Sequence, residues 1–554
     1  MAQKSWNLLS KKSPTSADEI LKILLQNRGL NSKKETKEFL EPDLNSLLNL
    51  KLSDIEKTIK RIKKAIENGE EIIVYSDYDA DGICGTAILW ETLNIFGAKV
   101  LPYVPHRQKE GYGFSKAALK DLAKKGAKLI ITVDHGITAE EEVDFAAKLD
   151  IDVIITDHHL PPKKLPKAFA IVHTTRLCGT GVAFILAKNL WKSFGKSEDQ
   201  ILEKLDLVAI ATIADMVPLL DLNRIAVKFG LPYLQRTKRP GLLALMNEAG
   251  IKPQNVGTYE ISRILSPRIN ASGRLEHAIE PLRLLCTRNT DRAKELAKLI
   301  GKTNSKRQKM TEEAIVLAKS IFEEESLLPI LVHEEFHEGI IGLVAQKMAE
   351  EFYKPVVVIA KGENVSKGSA RSVGEFNIVE TLRSCSQFLI EVGGHPKAAG
   401  FQIKTEKIEI FSQKLRKFAE KTLGDGKLSK IVNIDIPIDS SLINRALFEK
   451  IQDLAPFGMG NPEPVFLTRN FLVENLRTVG SLNNHLKLQV RSDSKSFETI
   501  GFGLGEEAHF LRPGMEVDLV YTLSQDSWNG NTKLVLKVKD LRVNDKEPIL
   551  SSYQ

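Results

Sequence analysis

The chain has 554 residues, too many for one hydrophobic core, so three or four domains are expected. Hydrophobic residues make up 42% and charged ones 27%; no apolar run is long enough to span a bilayer and residues 1–12 do not read as a signal peptide, which excludes a membrane protein and predicts a cytoplasmic one. A net charge of +7 permits a polyanionic partner without requiring one, and four cysteines with no C-x-x-C pair (Cys84, Cys178, Cys286, Cys385) predict buried thiols, not a disulfide frame.

Residues up to about 50 read as small helices, with Ile20, Leu21, Ile23 and Leu24 as an apolar face and Pro42 ending a segment. A clearer helix follows over 53–68, carrying Ile55, Ile59, Ile62 and Ile66 on one side. It leads into a β-branched run at 71–75, which predicts a strand, then Ser76-Asp77-Tyr78-Asp79-Ala80-Asp81-Gly82, then an amphipathic helix over 83–96. Three aspartates at alternate positions repel one another unless something positive sits among them. The spacing opens an EF-hand loop, but the twelfth position is Ile88 instead of Glu and a strand precedes it, so that reading fails. On this motif alone, a divalent-cation site and a solvated acidic cap of the next helix both stand.

The same unit recurs. Residues 127–133 predict a second strand, ending in Asp134-His135-Gly136 before a helix over 138–149, and 151–156 a third, ending in Asp157-His158-His159. A fourth apolar run, 205–214, ends in Asp215; its Ala and Ile content leaves strand or helix open. Strands alternating with helices predict a parallel sheet, whose ligands gather at the carboxyl ends of its strands. Acids and imidazoles from four segments at one rim favour a metal site over coincidence, and with no cysteine nearby they suit Mn²⁺ or Mg²⁺ better than zinc. Seven candidate ligands exceed one ion's needs. Two ions roughly 3.5–4 Å apart would cleave phosphoesters.

Downstream, 287–325 predicts one long helix with Leu296, Ile300, Met310, Ala314, Leu317 and Ile321 as an apolar stripe, a strut between domains. Strands at 328–332 and 355–359 around a helix at 339–352 predict a smaller α/β lobe; its Gly-rich stretches 367–372 and 393–400 read either as phosphate-approaching loops or as tight turns and close packing. After a helix over 441–454, strand-like runs at 464–471, 485–490, 499–502, 515–523 and 533–538, with Asn529-Gly530 as a hairpin turn, fit an OB barrel. Phe502, Tyr521 and Trp528 are its candidate stackers for single-stranded nucleic acid, although most aromatics in a small barrel are core. The predicted domains are 1–50 helical, 51–286 catalytic α/β, 287–325 connecting helix, 326–429 smaller α/β and 430–554 barrel.

The acidic and His motifs, with Thr212-Ile213-Ala214-Asp215, resemble the ordered motifs of the DHH phosphoesterase superfamily, and within it the RecJ family of single-strand-specific 5′→3′ exonucleases. The resemblance continues in Pro267-Arg268-Ile269-Asn270-Ala271-Ser272-Gly273-Arg274, Lys367-Gly368-Ser369-Ala370-Arg371-Ser372, Gly393-Gly394-His395-Pro396-Lys397-Ala398-Ala399-Gly400 and Pro456-Phe457-Gly458-Met459-Gly460-Asn461-Pro462, nearly the whole chain. It implies that Asp79, Asp81, Asp134, His158 and Asp215 hold two divalent cations, Mn²⁺ or Mg²⁺, with Asp77 and His159 beside them. It implies too that Arg107, Ser369 and Arg371 bind the substrate's 5′-phosphate, with His395 near the substrate and Arg274 against the scissile phosphate. Ser76 and His135 depart from the pattern, and His135 could add a ligand; the loop 173–179 is shorter than usual, with His173 at a customary Asn position. The implied activity is metal-dependent hydrolysis of single-stranded DNA in repair and recombination by a monomer, with a helicase and a single-strand-binding protein as candidate partners. The rival readings are another DHH phosphoesterase, such as an oligoribonuclease or a cyclic dinucleotide phosphodiesterase, and a non-catalytic replication-fork scaffold.

Overall fold

A computed structural model describes residues 4–106, 110, 113–424, 428–528 and 531–544. The chain divides into two compact units, one of residues 44–217 and 225–429, the other of 1–43, 218–224 and 430–554. No helix among the described residues is long and apolar enough to cross a membrane.

The first unit is built on a five-stranded, all-parallel sheet in the spatial order Lys99–Tyr103, Glu71–Ser76, Ala127–Val133, Asp152–Asp157, Ala170–His173. From Glu71–Ser76 the chain steps outward to Lys99–Tyr103, then crosses back to Ala127–Val133 on the other side. That reversal opens a crevice at the carboxyl ends of the two central strands. In Glu71–Ser76 the four inner positions, Ile72 to Tyr75, are wholly or almost wholly buried, as a parallel sheet covered on both faces requires.

Helices Ala80–Ile95, Gly179–Ser193 and Leu205–Ala214 pack on one another beside this sheet and are buried nearly all round. The amphipathic helix expected at 83–96 is therefore not amphipathic, and the undecided run at 205–214 is a helix. A helix with no solvent face has no polar stripe to give it a period. Thr290–Ser320 then runs 31 residues, about 46 Å at the usual rise, with Leu296, Ile300, Ala314 and Ala318 buried.

The smaller lobe is a mixed five-stranded sheet, ordered Leu389–His395, Ala398–Lys404, Val365–Arg371, Val356–Ala360, Ile330–His333. The Gly-rich stretches 367–372 and 393–400 fall on its antiparallel strands, where close packing is one of the two readings expected of them. Gly368 is there for contact, because a Cβ would stand 2.0 Å from the Phe401 ring.

In the second unit, Phe466–Val479, His485–Ser492, Lys495–Gly501, Glu516–Trp528 and Asn531–Val543 form a barrel, closed by pairing of the first with Glu516–Trp528. The amino-terminal segment is not purely helical: Ser5–Leu8 pairs in parallel with Ile431–Ile434. Its helix Ala17–Asn27 places Ile20, Ile23 and Leu24 in the same core as Phe466, Phe471 and Tyr521. Asn529 and Gly530, the expected hairpin turn, lie outside the described residues.

Candidate metal centre and phosphate pocket

Four chain segments meet at the crevice. The first leaves Glu71–Ser76 through Asp77, whose N–H donates to the Val133 carbonyl at 3.2 Å, and turns into helix Ala80–Ile95. Asp79 caps that helix, its Oδ1 accepting from the N–H groups of Asp81 (2.9 Å) and Gly82 (3.1 Å). Gly82 is needed for the turn, since a Cβ there would lie 2.8 Å from the Asp77 backbone. Asp81 caps a different helix. Its carboxylate accepts from the N–H groups of Gly179 and Thr180, both at 2.7 Å, at the start of Gly179–Ser193. The capping reading of the acidic motif thus coexists with the metal reading instead of competing with it.

The second segment supplies Asp134, in a left-handed conformation (φ 68°) at the end of Ala127–Val133. The third supplies the two histidines after Asp152–Asp157. His158 Nε2 lies 3.1 Å from Asp134 Oδ1, 3.5 Å from Asp215 Oδ2 and 3.8 Å from Asp81 Oδ2. Asp215 arrives from the carboxyl end of helix Leu205–Ala214 and not from a strand, where the helix dipole adds negative potential. Ligand atoms of Asp77, Asp79 and Asp134, of Asp81, His158 and Asp215, and of Asp134, His158 and His159 each fall within 4.8 Å of one another. All seven sequence candidates are in these groups.

The electrostatics call for a cation. Burial, then repulsion from Asp81, pushes the Asp79 and Asp134 carboxyls up, and burial with Asp81, Asp79 and Asp77 pushes Asp215 to about 9. His158 is pulled down, chiefly by burial. His158 Nε2 and Asp215 Oδ2 are buried and make no hydrogen bond among the described residues, although they face one another. A Cβ at Gly179 would come within 2.6 Å of the Asp134 carboxylate, so the space beside it is kept clear of side chain. Hard oxygen donors with an imidazole fit Mn²⁺ or Mg²⁺. Cys178 does sit beside the site, contrary to expectation, but burial, then the Asp81 charge, pushes its thiol far up, and its Sγ lies 3.4 Å from the Thr212 hydroxyl.

Sequence reasoning missed the residues that hold these groups in place. Asp157, wholly buried, accepts through Oδ1 from the N–H groups of His158 and His159 and from His159 Nδ1, and through Oδ2 from the Ile137 N–H. Burial alone would raise its carboxyl, but these bonds, with the His159 charge, hold it far below the carboxylate range. Asn270 accepts from the Ala80 N–H at 2.7 Å, and a Cβ at Gly273 would stand 2.7 Å from the Tyr78 carbonyl, so the 267–274 motif is seated on the acidic turn. His135 is not a ligand. Its Nε2 donates to the Tyr75 carbonyl at 3.0 Å, its ring packs edge-on to Tyr75 and Phe114, and burial keeps it neutral, near pKa 4.

Of the proposed phosphate ligands, Ser369 and Arg371 are neighbours on strand Val365–Arg371, Arg371 Nη1 donating to Ser369 Oγ at 3.0 Å. A Cβ at Gly342 would lie 3.0 Å from Arg371 Nη2 and 3.3 Å from Ser369 Oγ, so both side chains sit against the amino end of helix Ile341–Phe352, a natural anion seat. Arg274 reaches the turn before that helix from the other lobe, its Nη1 donating to the Gly339 carbonyl at 3.4 Å. His395 faces Arg371, whose charge adds to burial in lowering its pKa. Arg107 lies outside the described residues, as does the side chain of Trp528. Tyr521 is not a stacker, being fully buried with its hydroxyl 2.8 Å from Thr468 Oγ1, whereas Phe502 is 63% exposed.

Comparison with known proteins matches this architecture piece by piece. The DHH family, N-terminal domain model covers residues 71–212, the DHHA1 domain model 312–421 and the RecJ OB domain model 434–540. The chain is 36% identical over 538 residues, 94% of its length and 68% of the relative's, to the single-stranded-DNA-specific exonuclease RecJ of Bacillus subtilis (strain 168). Its structure is similar to that of RecJ from Thermus thermophilus in complex with Mn²⁺, with a TM-score of 0.84 and 30% identity over 98% of this chain and 80% of that one. The Mg²⁺ complex of the same protein gives a TM-score of 0.77 at 29% identity, covering 98% and 79%. The chain belongs to the RecJ family.

Proposed function

We propose that the chain is a divalent-metal-dependent exonuclease that hydrolyses single-stranded DNA from its 5′ end, in repair and recombination. One observation carries the reading: carboxylates and imidazoles from distant parts of the sequence converge at the switch point of a parallel sheet, with buried ligand atoms facing one another. Asp79, Asp81, Asp134, His158 and Asp215 would hold two ions, Mn²⁺ or Mg²⁺, flanked by Asp77 and His159. Ions so held supply a nucleophilic water and electrostatic stabilisation of the phosphoryl group.

The remaining work falls to the chain. His159 donates its Nδ1 proton to Asp157; burial lowers its proton affinity, but that bond and charge outweigh the loss, leaving the ring suited to hold a proton beside the leaving oxygen. Arg274 is the guanidinium for the scissile phosphate, stabilising the charge that grows there. Ser369, Arg371 and the amino end of Ile341–Phe352 receive the terminal 5′-phosphate, with His395 at the rim, which gives the cleavage its polarity. Phe502, with its ring largely exposed, is a barrel aromatic available to a base. Such an enzyme, cytoplasmic and monomeric, would draw on a helicase to expose strands and a single-strand-binding protein to keep them open.

The test is digestion of end-labelled single-stranded and duplex DNA, with and without a 5′-phosphate, in Mn²⁺, Mg²⁺ or EDTA. Mononucleotide release from the 5′ end of single strands, abolished by EDTA and favoured by the phosphate, is expected. Release from the 3′ end, or turnover confined to dinucleotides, would overturn the reading.

A further inference from the structure

The motif Pro456-Phe457-Gly458-Met459-Gly460-Asn461-Pro462 has no part in the site described above. It lies in the barrel unit, where it grips Pro218–Arg224, a short segment of that unit flanked on both sides in sequence by chain of the catalytic unit. The Leu219 N–H donates to the Met459 carbonyl at 2.7 Å. A Cβ at Gly458 would stand 2.7 Å from Leu219 Cδ1, and one at Gly460 (φ 73°) 2.9 Å from Pro218 Cβ. Leu219 is 2% exposed. At the other end of the segment the buried Arg224 guanidinium stacks 3.7 Å over the Phe39 ring and donates to the carbonyls of Phe39, Leu454 and Ala455. Asn461, also fully buried, ties the motif down by donating to the Leu454 and Pro456 carbonyls.

Asp215 stands three residues before Pro218. On its amino side it is fixed by a helical bond from its N–H to the Ala211 carbonyl at 2.9 Å. On its carboxyl side only Met216 and Val217 separate it from the gripped segment. The three Cα–Cα steps from Asp215 to Pro218 span about 11 Å at most, and Met216 stands in the left-handed region (φ 58°), which is costly for a side chain of its kind, so the link is short and constrained at its middle. A shift of the segment larger than this short link can absorb is passed on to Asp215.

We propose that residues 456–462 are a positioning element for Asp215: by clasping Pro218–Arg224 they fix the chain just after a metal ligand, so that the barrel unit bears on the metal site through the peptide chain. The proposal rests on the reading of Asp215 as a metal ligand. It makes 456–462 positioning residues, not catalytic ones.

The full-length chain tests it with three variants: Gly460→Val, which presses on Pro218; insertion of Gly-Gly after Val217, which slackens the link while leaving the clasp packed; and Asp215→Asn. Free Mn²⁺ is followed by electron paramagnetic resonance, with kcat, KM and DNA affinity in EDTA alongside. The insertion is expected to weaken Mn²⁺ binding about tenfold and to lower kcat at least tenfold at fixed Mn²⁺, with recovery as Mn²⁺ is raised and with KM and EDTA-state DNA affinity within about threefold. Gly460→Val, where it folds, should do the same. If Asp215→Asn weakens Mn²⁺ binding and the folded insertion variant does not, the clasp proposal fails alone; if Asp215→Asn leaves Mn²⁺ binding unchanged, the ligand reading fails and takes the clasp with it.

Discussion

Asp157 Oδ1 lies 2.8 Å from His159 Nδ1, and neither group has an ordinary proton affinity: the carboxyl is held far down, the imidazole is raised. A depressed carboxyl stabilises the fold above its unfolded value of about 4 and loses that contribution as pH falls. A raised imidazole stabilises it below about 6.5 and loses the contribution as pH rises through the folded value.

For Asp157→Asn, the amide must set an N–H₂ against either the Ile137 N–H or the histidine donors, so destabilisation of about 2 kcal/mol is expected. Thermal melts in EDTA should show the largest gap from the parent between about pH 4.5 and 6.5, where both members of the pair are charged. Mn²⁺ affinity should fall about 10–100-fold, as for a lost partner of a ligating histidine. A gap that does not change with pH would show that the pair's charge is not what matters.

Asp134 is crowded by Asp81, Asp79 and Asp215, and its left-handed backbone is one that Asn tolerates. Asp134→Asn is therefore expected to abolish hydrolysis while raising metal-free stability by about 1 kcal/mol, leaving DNA binding in EDTA unaltered. Asp134→Ala should abolish hydrolysis equally without that gain, because the left-handed conformation is strained for Ala. Retained turnover in Mn²⁺ buffer by either variant would remove Asp134 from the site.

What the sequence disclosed of this site, and what it hid, divide along physical lines. Asp77 to Gly82, Asp134 and Asp157 to His159 follow short β-branched runs covered on both faces, a pattern that depends only on local composition. The run ending at Asp215 could not be assigned, because helix Leu205–Ala214 is buried on every side but its last residue and has no periodicity to read. Lys99–Tyr103 and Ala170–His173 escaped notice as short edge strands, one of them carrying Pro102. Ser5–Leu8 finds its partner more than 400 residues away, which no local pattern encodes. Asp157 looked like one more acid of a motif, and only coordinates could separate the group that orients from those that face the crevice.

Gly179 offers a test of spacing. A methyl group there would meet the Asp134 carboxylate at 2.6 Å and disturb the N–H that holds Asp81, so Gly179→Ala should cost activity on the order of 100-fold, the scale of a misplacement near 1 Å. Gly195→Ala is the control, since its φ of 66° makes Ala costly by about 1 kcal/mol while nothing lies within 4 Å. It should lower the melting temperature and leave kcat alone. Equal losses of activity in the two variants would mean that general destabilisation, not the Asp134 contact, is responsible.

The barrel aromatics divide by burial. Thr468 Oγ1 donates to the Ile438 carbonyl at 2.8 Å, so its single proton is used and the Tyr521 hydroxyl must donate to it. Tyr521→Phe should thus cost about 1 kcal/mol of stability and leave affinity for single-stranded DNA unchanged. Phe502 is 63% exposed, its ring crossing that of His485 at a steep angle with 5.2 Å between centroids, so much of the ring is open to a base. Phe502→Ala should leave the melting temperature within a degree or two and weaken DNA binding by about 1–3 kcal/mol, the value of one stacked base. Fluorescence anisotropy of a labelled oligonucleotide in EDTA measures the affinity of both variants. Affinity lost with Tyr521→Phe but kept with Phe502→Ala would reverse the assignment and place the DNA contact elsewhere on the barrel.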